Sequence, residues 1–253
     1  MATNITTTTQ ITKSREKYID IHCHLINEVD DGAKNLEQSL RELIIAHRIG
    51  LKKIICTSHI CHGQNDRLNK IKTNFDILKE YGKKLDIDLY FGNEILYNHD
   101  IPNLLKSGKI SSLNNSNYIL VEFKRSENRD FEDILSCLED LIDNGYVVVL
   151  AHPELYHSYN KLKYMKALKK EGILLQLDAK SILKRRNRKV YKFSKKLLRK
   201  KLIDFVASDN HCNKERNYYT FKKAYKKIKR RYNKEYVNDI FYNNPKMILN
   251  SVK

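Results

Sequence analysis

The chain has 253 residues, of which 41% are hydrophobic and 31% charged; that suits one globular α/β unit with a sizeable core and argues against a disordered chain. No apolar run approaches a membrane span, and residues 1–17 are polar and Thr-rich with no apolar signal core, so they read as a disordered extension. Five cysteines without a C-x-x-C pair argue against a disulfide framework and for a reducing, cytoplasmic setting, while the net charge of +18 directs attention to anionic partners.

From Tyr18 onward apolar runs alternate with helical periodicities. In the first run, Tyr18 to His24, strand alternation puts Ile19, Ile21 and Cys23 on one face and Asp20, His22 and His24 on the other. Two imidazoles two residues apart on one face can reach one metal ion, and a nearby carboxylate can orient a ring. An acidic turn, Asp30-Asp31-Gly32, follows. Leu36, Leu40, Leu43, Ile44 and His47 then share a helical face that Gly50 stops. The next three runs start at Lys53, Leu89 and Tyr118 and end at His59, Glu94 and Glu122. Phe131, Ile134, Leu135, Leu138, Leu141 and Ile142 predict a helix stopped by Gly145, and the run from Val147 ends at His152. Leu162, Met165 and Leu168 predict a further helix, stopped by Gly172, and a strand near 173–177 precedes Asp178.

The basic stretch from Lys180 to Lys201 carries Val190, Phe193, Leu197 and Leu198 at helical spacing, an apolar stripe opposite a Lys/Arg face. A solvated face is the simplest account; a nucleic-acid surface and an anionic-membrane surface are the alternatives. The run from Phe205 delivers Asp209 and His211. Two helices, about 216–231 and 234–242, end the pattern, the first with a second basic stretch from Lys222 to Arg231.

Seven strands, near 18–22, 53–58, 88–92, 118–122, 147–151, 173–177 and 205–208, with helices between most of them, predict a parallel α/β barrel in one domain over 18–253. In such a barrel the C-terminal strand ends converge on one face. The ligand types at those ends are His22, His24, Asp31, His59, Glu94, Glu122, His152, Asp209 and His211. One ion takes four to six ligands and carboxylates can bridge two, so nine groups imply two or three divalent ions. Imidazole and carboxylate without thiolate suit manganese, iron or zinc.

These residues sit in the motifs DIHCHL, VDDG, TSH, GNEI, ILVEF, AHPE and ASDNH. In this order, from Tyr18 to about Asn250, they resemble the PHP (polymerase and histidinol phosphatase) superfamily. Within it they resemble the bacterial metal-dependent tyrosine-protein phosphatases that regulate capsule and exopolysaccharide synthesis. The resemblance implies a distorted seven-stranded (β/α) barrel and a trinuclear centre, most often described with manganese, with the nine residues above as ligands. It implies in-line hydrolysis of phosphotyrosine by metal-activated water, with no phosphoenzyme. The implied partner is a tyrosine-phosphorylated protein, the tail of a membrane-associated tyrosine kinase, with the anionic cytoplasmic leaflet behind it. Nucleic acid fits less well, since no base-stacking aromatic platform is evident.

One departure stands out. The group reads A-H-P-E-R-Y, with the Arg contacting phosphate; this chain has Ala151-His-Pro-Glu-Leu155-Tyr156. The group's other phosphate-contacting Arg falls on Arg216, and Lys124 and Arg125 are candidates for the missing charge. The stretch from Cys61 to Arg67 fits the C-x5-R spacing of cysteine-dependent phosphatases, which chance readily supplies in a chain with five cysteines. Competing readings are another PHP phosphoesterase, acting on a histidinol-phosphate-like monoester or on nucleic acid, a dinuclear amidohydrolase, and a weakly active phosphotyrosine-binding protein.

Overall fold

A computed structural model describes residues 18–60, 65–124, 129–156, 161–183 and 187–252, the side chains of 65–67 excepted. The N-terminal extension, the Cys61–Arg67 side-chain pair, His62 and Arg125 lie outside the described residues.

The chain alternates helices and short strands. α1 (Leu36–Ile49) leads into β1 (Lys53–Cys56) and β2 (His59–Ile60); α2 (Asn65–Lys84) leads into β3 (Asp88–Phe91) and β4 (Glu94–Leu96). Then come α3 (Ile101–Lys106), β5 (Tyr118–Glu122), α4 (Phe131–Asp143), β6 (Val147–Ala151), α5 (Leu162–Lys170), β7 (Leu174–Asp178), α6 (Arg188–Arg199) and β8 (Phe205–Ala207). α7 (Tyr218–Lys229), α8 (Lys234–Asn238) and α9 (Asn244–Asn250) follow. All strand pairs are parallel, in a six-stranded sheet of order β2-β4-β5-β6-β7-β8 and a two-stranded sheet of β1 and β3.

The α/β class and parallel strands are as expected; the distorted seven-stranded barrel is instead two parallel sheets, of two and six strands, with no closed barrel among the described residues. Residues 18–24 form no strand; they make isolated bridges, Asp20 to Ile54 and Cys23 to Asn210. The physical reason lies in Asp20. The Ser208 backbone N–H and hydroxyl donate to its carboxylate at 2.8 and 2.6 Å, so a side chain takes a donor that a strand ladder would use. Backbone bonds still tie the segment to both sheets: Ile55 N–H donates to the Asp20 carbonyl and Asp209 N–H to the His22 carbonyl, at 2.8 and 2.9 Å. The runs from Lys53 and Leu89 also break, at Thr57-Ser58 and Gly92-Asn93, and resume in the larger sheet as β2 and β4.

Side-chain alternation builds two apolar layers. Ile19, Ile21, Ile55, Leu120, Val149, Ala151, Phe205 and Ala207 form the inner one. Ile54, Cys56, Ile119, Val121, Val148, Leu150, Leu175 and Val206 belong to the outer one, with the helices. Cys23 sits in the outer layer, so it does not share a face with Ile19 and Ile21 as the alternation predicts. Asn35 caps α1 by accepting from Gln38 N–H, and Gly50 ends it in the left-handed conformation at φ 82°. The buried face of α1 is Ser39, Glu42, Leu43, Ala46 and Ile49; Ile44 is 41% exposed. The basic helix is shorter than expected: α6 starts at Arg188, and Ala179–Ile182 form a 3-10 turn. Among the described residues no helix is long and apolar enough to cross a membrane.

Candidate metal centre

Because the strands are parallel, their C-terminal ends share one edge, and the predicted ligands gather there. His59 and Glu94 open β2 and β4, Glu122 closes β5, and His152 follows β6. Asp209 and His211 follow β8, while His22 and His24 come from the bridging segment. The Asp30–Gly32 turn folds back onto that segment so tightly that a Cβ on Gly32 would overlap the His24 carbonyl oxygen. His152 and Asp209 adopt left-handed backbone, at φ 36° and 46°, a strain that non-glycine residues accept mainly where side-chain aim demands it.

All nine predicted ligands meet. Their donor atoms fall into four overlapping groups, each within 4.8 Å: His24, Asp31, His59 and His211; His22, His24 and Asp209; His22, Glu94 and His152; and His59, Glu94 and Glu122. Glu94 is the hub. Its Oε2 lies 3.1 Å from His22 Nε2, 3.2 Å from His24 Nε2 and 3.1 Å from His59 Nδ1, and its Oε1 lies 2.9 Å from His152 Nε2. His59 Nδ1 is also 3.1 Å from Glu122 Oε1.

The geometry passes a physical test for cations. Buried Glu94 Oε2 has three imidazole nitrogens around it yet no bond of hydrogen-bonding geometry to any of them. His22 Nε2 and His24 Nε2 face each other at 3.2 Å. A buried carboxylate oxygen without a hydrogen bond among three imidazole nitrogens, two of them facing each other, is an arrangement suited to a cation between them. The outer ring nitrogens are fixed elsewhere: His24 Nδ1 donates to Asp30 Oδ2 at 2.8 Å and His22 Nδ1 to Gln176 Oε1 at 3.0 Å. That turns both Nε2 atoms, with their lone pairs, toward the centre.

The electrostatics agree. Burial alone would push the Glu94 and Asp209 carboxyls up and the His22 and His59 rings down. Mutual attraction reverses this. Both carboxyls are held well below their usual range, while Glu94 above all raises His22 to about 10 and His59 to about 12. The site's carboxylates demand positive charge, which protons on the rings or divalent ions can supply. The buried thiol of Cys212, pushed up by burial, is no competing thiolate ligand.

Seven of the nine predicted ligands, Asp31, His59, Glu94, Glu122, His152, Asp209 and His211, line a cleft of about 210 Å³, and His22 and His24 lie behind it. Arg216 lines it too, with Nη1 3.1 Å from Asp209 Oδ2 and 2.9 Å from His211 Nε2. Lys124 is exposed beyond β5 and does not line the cleft. Leu155, in the 3-10 turn after His152, brings no charge. Sequence reasoning gave no role to Asp30 and Gln176, which orient the rings. Asp30 left its place in the acidic turn as a signal, and Gln176 is a polar residue inside the apolar run of β7. Sequence reasoning also missed Lys180, whose Nζ lies 3.5 Å from Asp209 Oδ2.

Comparison with known proteins places this geometry in a family. The sequence model of the family described as capsular polysaccharide synthesis, CpsB/CapC, matches residues 18–250. The chain is 35% identical over 240 residues to the tyrosine-protein phosphatase CpsB of Streptococcus agalactiae serotype III (strain NEM316), covering 91% of this chain and 98% of the relative. It is 32% identical over 211 residues to the tyrosine-protein phosphatase YwqE of Bacillus subtilis (strain 168), covering 82% of each. A crystal structure from work on YwqE of Bacillus subtilis and CpsB of Streptococcus pneumoniae, described as metal-dependent tyrosine phosphatases, superposes with a TM-score of 0.78 at 26% identity, covering 93% of this chain and 95% of that one. The chain belongs to the CpsB/CapC family.

Proposed function

We propose that this chain is a metal-dependent protein-tyrosine phosphatase holding two or three divalent ions, manganese first, with iron or zinc as alternatives. The observation that supports it most is the nine-residue imidazole and carboxylate cage opening into a cleft beside the Arg216 guanidinium. Ions held there would supply Lewis acidity and a nucleophilic water at neutral pH. The protein's own groups do the rest. Asp30 and Gln176 fix ring orientation, so the His22 and His24 lone pairs stay aimed inward without reorganisation. Arg216 is already drawn to the cleft by Asp209, and its remaining N–H groups can donate to phosphoryl oxygens. The phenolate of phosphotyrosine leaves readily, since its conjugate acid has a pKa of about 10. No side-chain nucleophile is needed.

The substrate in this reading is a tyrosine-phosphorylated protein, the tail of a membrane-associated kinase of capsule or exopolysaccharide synthesis, met in the cytoplasm. A panel of phosphotyrosine peptide, histidinol phosphate and single-stranded DNA, each with and without EDTA, tests it. The expected result is hydrolysis of the peptide, abolished by EDTA and restored by manganese, with Cys61→Ser retaining most activity. EDTA-resistant activity that Cys61→Ser destroys would sink the reading.

A further inference from the structure

Lys180 sits at the edge of the metal cage on a firmly held turn. The 3-10 turn Ala179–Ile182 follows β7 directly, and Ala179, Ser181 and Ile182 are buried. Lys227 of α7 donates to the Ile182 carbonyl at 2.7 Å and fixes the turn from outside. The Lys180 side chain is 27% exposed, close to the 23% of Arg216. Arg216 lines the cleft, Lys180 reaches the same Asp209 carboxylate from just outside that lining, and both keep access to solvent.

The two oxygens of Asp209 separate two environments. Oδ1 faces the cage, 3.6 Å from His22 Nε2, 3.6 Å from His24 Nε2 and 3.2 Å from His211 Nδ1. Oδ2 faces two cations, with Arg216 Nη1 at 3.1 Å and Lys180 Nζ at 3.5 Å. Lys180 Nζ is also 3.8 Å from Asp178 Oδ2. Both Lys180 distances exceed a hydrogen bond. Charge thus holds the ammonium in place while its three N–H donors remain uncommitted among the described residues. Arg216 and Lys180 share one oxygen, so their donors lie a few ångströms apart on one side of the cage. A phosphoryl group can span such a pair with two of its oxygens while a third reaches the cage.

We propose that Lys180 is the second cation of the phosphate clamp, contacting the phosphoryl group of the substrate and the product phosphate together with Arg216. This rests on the phosphatase reading above and adds a substrate-contacting residue to it. The alternative role, neutralising Asp178 and Asp209, would act on folding or metal loading instead.

The test uses the manganese-loaded full chain, its Lys180→Met variant, which keeps an unbranched side chain without the charge, and Lys180→Arg, which keeps the charge. Inorganic phosphate is the probe, titrated calorimetrically, with manganese content and melting temperature measured alongside. Losing one charge-assisted contact should weaken phosphate binding about tenfold to a hundredfold in Lys180→Met. Manganese content and melting should hold, and Lys180→Arg should stay within about threefold of the parent. KM for p-nitrophenyl phosphate should rise in step. Unchanged phosphate affinity in Lys180→Met overturns the proposal, and so does a loss matched by lost manganese or a collapsed melting temperature in both variants. A parent protein that neither binds phosphate nor hydrolyses the ester would instead defeat the phosphatase reading, and the clamp with it.

Discussion

Glu94 shows how much of this site rests on single atoms. Its carboxylate touches four imidazoles and holds the His22 and His59 rings protonated well above the ordinary histidine range, against the effect of burial. A divalent ion entering the cage must displace those protons. The sign follows: with ring values near 10 and 12, protons are bound at neutral pH, so manganese binding releases them and apparent affinity rises with pH. Calorimetry at pH 7 in buffers of different ionisation enthalpy should show net release of at least one proton per chain, and none would contradict this account. Asp30 acts one step out, accepting from His24 Nδ1, Gly32 N–H and His59 N–H. Asp30→Asn should cost about tenfold to a hundredfold in manganese affinity, read by the same titration. At the cleft wall, Arg216→Ala should lower kcat/KM on an aryl phosphate by about tenfold to a hundredfold. Leu155→Arg, which restores the residue of the resembling group, should raise it. No effect of Arg216→Ala, with activity lost in Leu155→Arg, would show that other groups bind the phosphate.

The bridging segment is the element on which the two sheets and the cage all depend. Asp20 is fully buried, and Ser208 supplies two of its hydrogen bonds. Ser208→Ala deletes the hydroxyl and leaves Oδ2 of a buried carboxylate short of a donor. That should destabilise the fold by roughly 1.5–3 kcal/mol, measured by denaturant unfolding of the metal-free chain; a change under half of the lower figure would mean that Asp20 is satisfied otherwise. This segment also marks where sequence stops being legible. β5 and β6 were readable because both faces are apolar and the runs are five residues long. Residues 18–24 carry a strand pattern, yet a side chain takes the ladder's donor, and no periodicity records that. β2 and β4 are two and three residues long, below any pattern, and exist because the chain breaks and resumes. The ligands were legible because each chemistry-bearing type ends an apolar run. Gln176 meets His22, and Lys180 meets Asp209, only when distant segments come together; Asp30 lies six residues from His24, but its aim at that ring is set by the turn and carries no periodicity.

Across the whole molecule, acid and base are segregated. The edge that bears the cleft concentrates Asp31, Glu94, Glu122 and Asp209, while the outer helices carry much of the +18 charge. On α7 a cleft of about 320 Å³ is lined by Lys223, Lys226, Lys227, Arg230 and Arg231 alone. Tyr191 of α6 lies between Lys195 and Lys227, whose ammonium groups are 5.5 and 4.6 Å from its ring centre. The Ile182 carbonyl bonded to Lys227 belongs to the turn that bears Lys180, and Lys180 lies 3.5 Å from Asp209 of the cleft, so this basic surface connects to the cleft through one turn. A field of this kind draws in a multiply phosphorylated chain mainly by raising its association rate, and at physiological salt it is screened within about 8 Å. Hydrolysis of a multiply phosphorylated tyrosine peptide should therefore fall steeply with added salt, while hydrolysis of p-nitrophenyl phosphate falls less. Lys195, Lys196, Arg199 and Lys200 lie on α6 or at its C-terminal end and do not line the cleft. Replacing all four with Gln should flatten the difference between the two salt slopes and leave kcat on the small ester unchanged. Equal slopes in the unaltered chain would leave the basic surface as a solvated face, with recognition confined to the cleft itself.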